Sequence, residues 1–212
     1  MKISFGLKII LALAMLFSCK KELSELPPAT QTGANTFGCK VDGQFWVPAG
    51  FGIVPTAAIL EARRSADGEL YINARNFSSS PRETEFEFYI KGVTAAGNYL
   101  LNTTTGYPGR AVNYGYYVHR RFTPDNEWIT SADYTGSVTI TKIDTVSHFV
   151  SGRFSFNAIN LYNSPKPLAV TEGRFDIRWQ EKINQKEYEC QNSAKQPTAH
   201  SYLQEGNYWD NQ

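Results

Sequence analysis

Short runs in which apolar and polar residues alternate recur between residues 35 and 180, with turn residues between them. In residues 83–90, ETEFEFYI, Glu85 and Glu87 alternate with Phe86 and Phe88. Successive side chains of a β-strand point to opposite faces of the sheet, so this period predicts strands with one buried face. No stretch of the chain has the 3.6-residue period of an amphipathic helix. The chain is therefore predicted to be all-β.

Turn residues separate the predicted strands. Asp42-Gly43 lies between residues 36–41 and 44–47, and Asp67-Gly68 lies between the next two runs. Such dipeptides form the tight turns of β-hairpins. Aromatic residues, which favour strands, make up 14% of the chain. Together these features predict a single antiparallel β-sandwich or flattened β-barrel domain over residues 35–180.

A run of nine apolar residues, Ile9–Phe17, lies near the N-terminus after Lys2 and Lys8. In a helix it would span about 14 Å, roughly half of a bilayer core, so it suits a signal sequence better than a membrane span. The sequence Leu16-Phe17-Ser18-Cys19 resembles a bacterial lipobox, whose cysteine is acylated. Residues 1–18 are thus predicted to be a lipoprotein signal peptide, and Cys19 the lipidation site.

The segments on either side of the β domain are predicted to be irregular. Residues 19–34 contain Pro27-Pro28 and no periodicity, which predicts a flexible tether, and residues 181–212 form a polar C-terminal tail. No other apolar run approaches the roughly 20 residues of a membrane helix, so the mature protein is expected to be membrane-anchored without spanning the bilayer. We expect it in the bacterial cell envelope, at the outer membrane, on either its periplasmic or its surface face.

The charge balance argues against nucleic-acid binding. The chain has 21 Lys and Arg against 20 Asp and Glu, a formal net charge of +1. Removal of residues 1–18 takes away Lys2 and Lys8, leaving 19 basic against 20 acidic residues. Such a protein has no basic excess with which to neutralise phosphates.

Four segments resemble a family of Bacteroidota lipoproteins of unknown function. They are residues 35–43 (NTFGCKVDG), 136–144 (GSVTITKID), 151–156 (SGRFSF) and 172–177 (EGRFDI). The resemblance covers most of residues 35–179, although residues 98–131 carry none of it. It implies an all-β protein anchored in the envelope, and it supplies no activity, cofactor or catalytic residue.

The sequence lacks the usual motifs of a metal or nucleophilic centre. His119, His148 and His200 are isolated, and there is no CxxC, HxH or HExxH motif. A GxSxG motif and a P-loop are also missing from the sequence. No metal, cofactor or catalytic residue is predicted.

Glu83, Glu85 and Glu87 form the only row of carboxylates that suggests a glycosidase. Residues i and i+2 of a strand lie about 7 Å apart on the same face, which falls within the range of glycosidase pairs. A general acid, however, needs a desolvated carboxyl group. A Glu row opposite a Phe row is more typical of the solvent face of an amphipathic strand, and that interpretation is preferred.

Residues 107–122, YPGRAVNYGYYVHRRF, have an unusual content of Tyr and Arg, which suits contacts with sugars or proteins. We predict ligand contacts from Tyr107, Tyr117, Arg120 and Arg121. In the alternative interpretation Tyr114, Tyr116 and Val118 pack inward while Asn113, Tyr117 and His119 face water.

Two covalent modifications are suggested besides lipidation. With Cys19 acylated, Cys39 and Cys190 remain in an oxidising compartment, where they either form a disulfide or stay free. Asp144-Thr145-Val146, in a predicted turn, resembles the Asp-Ser/Thr-aliphatic O-glycosylation acceptor of this bacterial group, with Thr145 as the modified residue.

Three classes of function remain. The preferred one is a non-catalytic envelope lipoprotein whose β domain binds a glycan, a peptide or a partner protein. The second is a structural or assembly accessory without a ligand. The third is a hydrolase acting on envelope or dietary polymers.

Overall fold

The computed structural model describes residues 25–50, 58–78, 83–106, 111–120, 124–162 and 167–181. Within these ranges the protein contains strands and no helix, which confirms the predicted all-β fold. The strands, in chain order, are β1 Thr36–Val41, β2 Gln44–Trp46, β3 Leu60–Arg64, β4 Leu70–Asn76, β5 Glu83–Ile90, β6 Gly97–Leu101, β7 Tyr114–Arg120, β8 Pro124–Ile129, β9 Gly136–Asp144, β10 Phe149–Asn160, β11 Leu168–Arg178 and β12 Gln180–Glu181. A helix able to cross a membrane is not found among the described residues.

The strands form one curled sheet in two halves, which share the long strand β10. The first half has the order β2-β1-β11-β10-β9-β6, and the second has the order β12-β3-β4-β5-β7-β8. Strand β10 joins them because its last residues, Ile159 and Asn160, pair with β8. All pairings are antiparallel except that of β12 with β3. The sheet is a half-barrel, consistent with the predicted sandwich or flattened barrel.

The curl leaves an opening between the two ends of the sheet. The ends of the strand order are β2 and β12, and β3 lies next to β12. Across the opening, the described residues form a single isolated bridge between Ala49 and Asn76. Strand β11 also contacts β3, next to the pairing of β12 with β3.

Aromatic side chains fill the interior of the half-barrel. The rings of Phe88 and Phe154 lie 4.8 Å apart, and those of Phe37 and Phe154 lie 5.1 Å apart. A Cβ atom on Gly173 would lie 2.4 Å from Cδ2 of Phe154, so only glycine leaves room for this ring. The glycine of the EGRFDI segment is thus required by packing.

The turns lie where the sequence predicts them. Asp42 and Gly43 join β1 to β2 with φ angles of 48° and 83°, the left-handed conformation that two-residue hairpin turns need. The predicted hairpin of β3 and β4 and the predicted turn between β9 and β10 are also present.

The second half of the sheet is buried on both faces, which the sequence did not indicate. Tyr117 lies in the interior, with its ring 4.6 Å from that of Phe86. A second cluster occupies the outer face and comprises Tyr89, Tyr114, Tyr116, Val118 and Ile129. The alternative interpretation is therefore confirmed for the burial of Tyr114, Tyr116 and Val118, which are all 0% exposed, but it was wrong about the exposure of Tyr117.

Residues 25–34 are in contact with the domain. Thr30, Thr32, Gly33 and Ala34 all donate hydrogen bonds to the carboxylate of Asp176 on β11. The prediction of a flexible tether therefore differs from the structure at residues 30–34, because this carboxylate binds them. The predicted signal peptide and residues 182–212 of the predicted tail lie outside the described residues.

Candidate functional site

The opening of the half-barrel contains a pocket of about 660 Å³. It lies where β1 begins and β11 ends, facing the residues that follow β2 and those that begin β3. Its lining residues are Pro27, Asn35, Thr36, Phe37, Val47, Pro48, Ala58, Ile59, Leu60, Arg178 and Trp179. The volume falls within the range of about 300–1,000 Å³ that small-molecule sites occupy.

The floor of the pocket is aromatic and fixed by its neighbours. Phe37 packs edge-on against Trp46 at 5.7 Å and belongs to the core. The ring of Trp179 lies 5.7 Å from the guanidinium of Arg64 and 5.8 Å from the ring of His148. Phe37 is 2% exposed and Trp179 is 5% exposed, so both rings are held in place beneath the pocket and little of their surface is accessible.

The walls are largely aliphatic. Val47 and Pro48 follow β2, while Ile59 and Leu60 lie on the opposite side at the start of β3. Pro27, from the N-terminal segment, completes the lining. The pocket can therefore remove an apolar group from water, which contributes about 25 cal/mol per Å² of apolar surface.

The polar groups of the pocket lie together at one rim. Oδ1 of Asn35 accepts the backbone N–H of Arg178 at 2.9 Å. The guanidinium of Arg178 donates to the carbonyl oxygens of Ser147, at 3.0 Å, and Thr32, at 3.5 Å. The φ angle of Asn35 is 55°, a left-handed conformation that asparagine tolerates. Thr36 follows directly as the first residue of β1.

Asp176 holds the segment that leads into this rim. Its side chain has 0% exposure, and it accepts hydrogen bonds from Thr30 Oγ1 at 2.6 Å, Gly33 N at 2.8 Å and Ser151 Oγ at 2.7 Å. Burial acts to raise the pKa of this carboxyl group, but the hydrogen bonds from Thr30, Thr32, Ser151 and Ala34 outweigh it and hold the pKa well below the usual range. The ionised carboxylate thus fixes residues 30–34 and, through them, Asn35.

The predicted ligand contacts do not form an exposed site in the described part of the chain. Tyr117 is only 3% exposed, and burial raises the pKa of its hydroxyl. Arg120 is half-buried, with Nε 2.7 Å from Oε2 of Glu85. Tyr107 and Arg121 lie outside the described residues. The prediction was wrong for Tyr117 because β7 is buried on both faces.

The glutamate row is also less exposed than the sequence suggests. Glu87 has 4% exposure and accepts hydrogen bonds from the hydroxyls of Tyr71, at 2.8 Å, and Tyr114. Glu85 accepts from Asn73, Arg75 and Arg120. The solvent-face interpretation was therefore wrong for Glu87, since neighbouring strands place tyrosine hydroxyls on the same face of the sheet.

The acidic groups of the described residues do not assemble a metal site. No group of three or more His, Cys, Asp or Glu side chains there is arranged to hold a metal ion. Asn73 Oδ1, next to the glutamates, is a buried acceptor without a hydrogen-bond partner in the described part of the chain.

The structure describes only some of the remaining predicted site residues. Cys39 is fully buried in β1 and forms no disulfide with another described residue, and burial raises the pKa of its thiol. Cys19 and Cys190 lie outside the described residues, so lipidation and the disulfide stay predictions. Thr145 is exposed in the turn between β9 and β10, where Asp144 accepts the N–H groups of Val146 and Ser147. Its O-glycosylation also stays a prediction.

A known protein family matches most of the β domain. The model of a family described as a domain of unknown function, DUF6252, matches residues 34–177. The chain belongs to the DUF6252 family. The matched region runs from the residue before Asn35 almost to the end of β11, so it holds most of the lining of the pocket, and Arg178 and Trp179 follow it directly. No curated protein and no solved structure matches the chain.

Proposed function

We propose that this protein is a lipoprotein of the bacterial envelope whose β domain binds an apolar ligand without converting it. The observation that supports this proposal is the pocket in the opening of the half-barrel, with its aliphatic walls above two buried aromatic rings and its polar residues at one rim. Small-molecule sites typically combine a mostly apolar lining with a few converging polar groups. The site differs from the predicted glycan-contact segment, because Tyr117 is buried in the core.

The proposed non-catalytic role is supported by the side chains at the rim. Asn35, Thr36 and Arg178 are the polar residues of the lining. An arginine cannot be deprotonated in a protein, and an amide or an unactivated hydroxyl is neither an effective general base nor a nucleophile. These groups orient a ligand by hydrogen bonding.

The proposed anchor rests on the N-terminal sequence, with its basic residues, short apolar run and Ser18-Cys19 junction. Cells fed a fatty-acid analogue should label the wild-type protein but not Cys19→Ala. Equal labelling of the two proteins would exclude a lipid at this cysteine while leaving the binding proposal intact.

Binding can be measured with N-phenyl-1-naphthylamine, a neutral apolar dye that fluoresces when removed from water. The protein is residues 19–212 with Cys19→Ser, which includes every described residue and needs no detergent. We expect one dye molecule per chain, and we expect Ala58→Trp to weaken dye binding at least tenfold by filling the pocket. The matched control is Val146→Trp, in a turn where the side chain is 88% exposed. If the two variants bind the dye equally well, the pocket is not the binding site.

A further inference from the structure

We infer that the outer face of the first half of the sheet faces the membrane and binds anionic phospholipid headgroups, with Arg153 and Arg174 at the centre of the contact. The inference rests on the proposed anchor at Cys19 and specifies how the anchored domain lies on the bilayer. It follows from where the N-terminal segment leaves the domain, how short the remaining tether is, and which charges surround that point.

The N-terminal segment is held on this outer face from Leu26 onward. Leu26 is buried, and a Cβ atom on Gly38 of β1 would lie 2.7 Å from Cδ of Pro27, so Pro27 packs directly on this strand. Nη1 of Arg174 on β11 donates to the carbonyl oxygen of Pro27 at 3.3 Å. The chain therefore leaves the domain beside Gly38 and Arg174.

The tether between the proposed anchor and this point is short. Leu26 is seven residues after Cys19, a stretch that spans at most about 25 Å when fully extended. Strand β10 alone, with its 12 residues, is about 40 Å long. Because the acyl chains on Cys19 would lie in the bilayer, Leu26 stays within about 25 Å of the headgroups. The tether thus brings the outer face of the first half against the membrane.

A basic patch surrounds the point where the chain leaves the domain. It consists of Lys142 on β9, Arg153 on β10, and Arg174 and Arg178 on β11, all on the outer face. Arg153 and Arg174 are directly opposite each other in the register, and Gly38 is opposite Arg174 on its other side. The two guanidinium groups therefore lie next to Pro27, on the same row of the sheet.

The pair formed by Arg153 and Arg174 suits a phosphate group. Like charges directly opposite each other on neighbouring strands destabilise a sheet, and an anion that contacts both offsets this repulsion. Arg153 is exposed, and Arg174 donates to the carbonyl oxygens of Pro27 and Glu172, which hold its side chain in place. Phosphate oxygens match the planar donor geometry of guanidinium groups. The phosphate of a lipid headgroup meets these requirements at the membrane surface.

The acidic side chains of this face are covered, paired or distant from the pair of arginines. Asp176 is 0% exposed beneath residues 30–34, and Glu172 pairs with Lys40 at 2.6 Å. Asp144 lies at the far end of β9, where it accepts N–H groups of the following turn. The exposed charge around the exit of the chain is therefore positive.

The outer face of the second half has a different arrangement of charge. Its arginines form ion pairs within the sheet, Arg63 and Arg75 with Glu61, and Arg75 and Arg120 with Glu85. In the basic patch the hydrogen bonds of the cationic groups go to neutral carbonyl oxygens instead. Anionic headgroups are thus attracted to the first half of the sheet more strongly than to the second.

The test is chemical labelling of lysines in the full lipidated chain, reconstituted into vesicles of phosphatidylcholine with or without phosphatidylglycerol. Acetylation by an N-hydroxysuccinimide ester is measured by mass spectrometry at Lys142, in the basic patch, and at Lys91, which is exposed just after β5. One basic side chain near an anionic surface contributes about fivefold in binding. Phosphatidylglycerol should therefore slow the acetylation of Lys142 about fivefold and leave that of Lys91 unchanged.

A charge reversal tests the centre of the patch. Arg153→Glu should restore fast acetylation of Lys142 on vesicles with phosphatidylglycerol. This substitution places a carboxylate opposite Arg174, so the variant should stay folded, which circular dichroism checks. The matched control is Lys91→Glu, the same charge change at an exposed site outside the patch, and it should leave Lys142 slow.

A second measurement needs no variant. At 1 M salt exposed charges are screened beyond roughly 3 Å, so this salt concentration should restore fast acetylation of Lys142 in the wild type. Equal rates at Lys142 with and without phosphatidylglycerol, or equal slowing of Lys142 and Lys91, would overturn the inference while leaving the anchor and the pocket intact. Failure of the wild-type protein to float with the vesicles would instead overturn the proposed anchor.

Discussion

The outer faces of the two halves of the sheet each bury one carboxylate, and the two are satisfied in different ways. Asp176, on β11, receives backbone N–H groups and hydroxyls, and its partner Gly33 lies 143 residues earlier in the chain. Glu87, on β5, receives tyrosine hydroxyls from the adjacent strands β4 and β7. One carboxylate binds an irregular segment to the sheet, and the other belongs to a network within the sheet.

This difference determines what each carboxylate stabilises. The N–H groups of Thr32, Gly33 and Ala34 donate to the two oxygens of one carboxylate, so removing Asp176 leaves several donors without their partner. The tyrosines around Glu87 lie on strands held by backbone hydrogen bonds, which do not depend on the carboxylate. We therefore expect a larger loss of stability at Asp176 than at Glu87.

The largest effect is expected for Asp176→Asn. The amide keeps one acceptor oxygen but turns an NH₂ group towards existing donors, and the free energy of unfolding should fall by about 3 kcal/mol. Urea denaturation measures this, with Glu172→Gln on the same strand as the control. Glu172 is exposed and pairs with Lys40 at 2.6 Å, so its loss should cost less than about 1 kcal/mol. Equal losses in the two variants would contradict the proposed attachment.

The contribution of Asp176 should also depend on pH. Its pKa in the folded protein lies well below the value of about 3.9 in unfolded chains, so the unfolded state takes up the proton first on acidification. The stabilisation is complete above the unfolded pKa and is lost as the pH falls towards the folded pKa. Urea midpoints of wild type and Asp176→Asn should therefore converge between pH 5 and pH 2. A constant difference across this range would show that ionisation of Asp176 does not matter.

Features set by neighbouring residues could be predicted from the sequence. The turn at Asp42-Gly43 and the alternation of Glu85, Phe86, Glu87 and Phe88 depend on residues close together in the chain, and both predict the observed strands. The alternation of β11 likewise placed Phe175 in the interior. The two-residue alternation of a strand and the residue types of a turn depend only on neighbouring residues. They therefore suffice to identify these strands and turns from the sequence.

The pocket and the burial of Asp176 could not be predicted in this way. Arg174, Asp176 and Arg178 form the polar face of β11 in the sequence, which suggests solvent contact. The structure buries Asp176 because residues 30–34 cover it. The rim of the pocket likewise requires β1 to pair with β11, across more than a hundred residues of chain. A single sequence contains no signal for such pairings.

The tyrosine-rich strand β7 shows a second limit. A tyrosine combines an apolar ring with a polar hydroxyl, so its alternation with other residues does not tell a buried face from an exposed one. Tyr117 lies in the interior, while Tyr114 and Tyr116 lie on the other face with their hydroxyls on Glu87 and Glu127. The glutamates opposite were the available signal, since a buried tyrosine hydroxyl needs an acceptor.

The smallest effect is expected for Tyr114→Phe, which removes one hydroxyl from the carboxylate of Glu87 without changing the buried ring. A hydrogen bond to a charged group contributes more than a neutral one, so we expect a loss of about 1.5 kcal/mol in the free energy of unfolding. Tyr99→Phe is the matched control, because its hydroxyl donates to the neutral carbonyl of Ala95 at 2.9 Å in an exposed position and should cost about 0.5 kcal/mol.

A double-mutant cycle with Glu87→Gln then isolates the pair of side chains. If Tyr114 and Glu87 act together, Tyr114→Phe should cost about 1 kcal/mol less in the Glu87→Gln background than in the wild type. Equal costs in both backgrounds would mean that the hydroxyl of Tyr114 is stabilised independently of Glu87. Because both residues lie on hydrogen-bonded strands, even the double variant should retain a larger free energy of unfolding than Asp176→Asn.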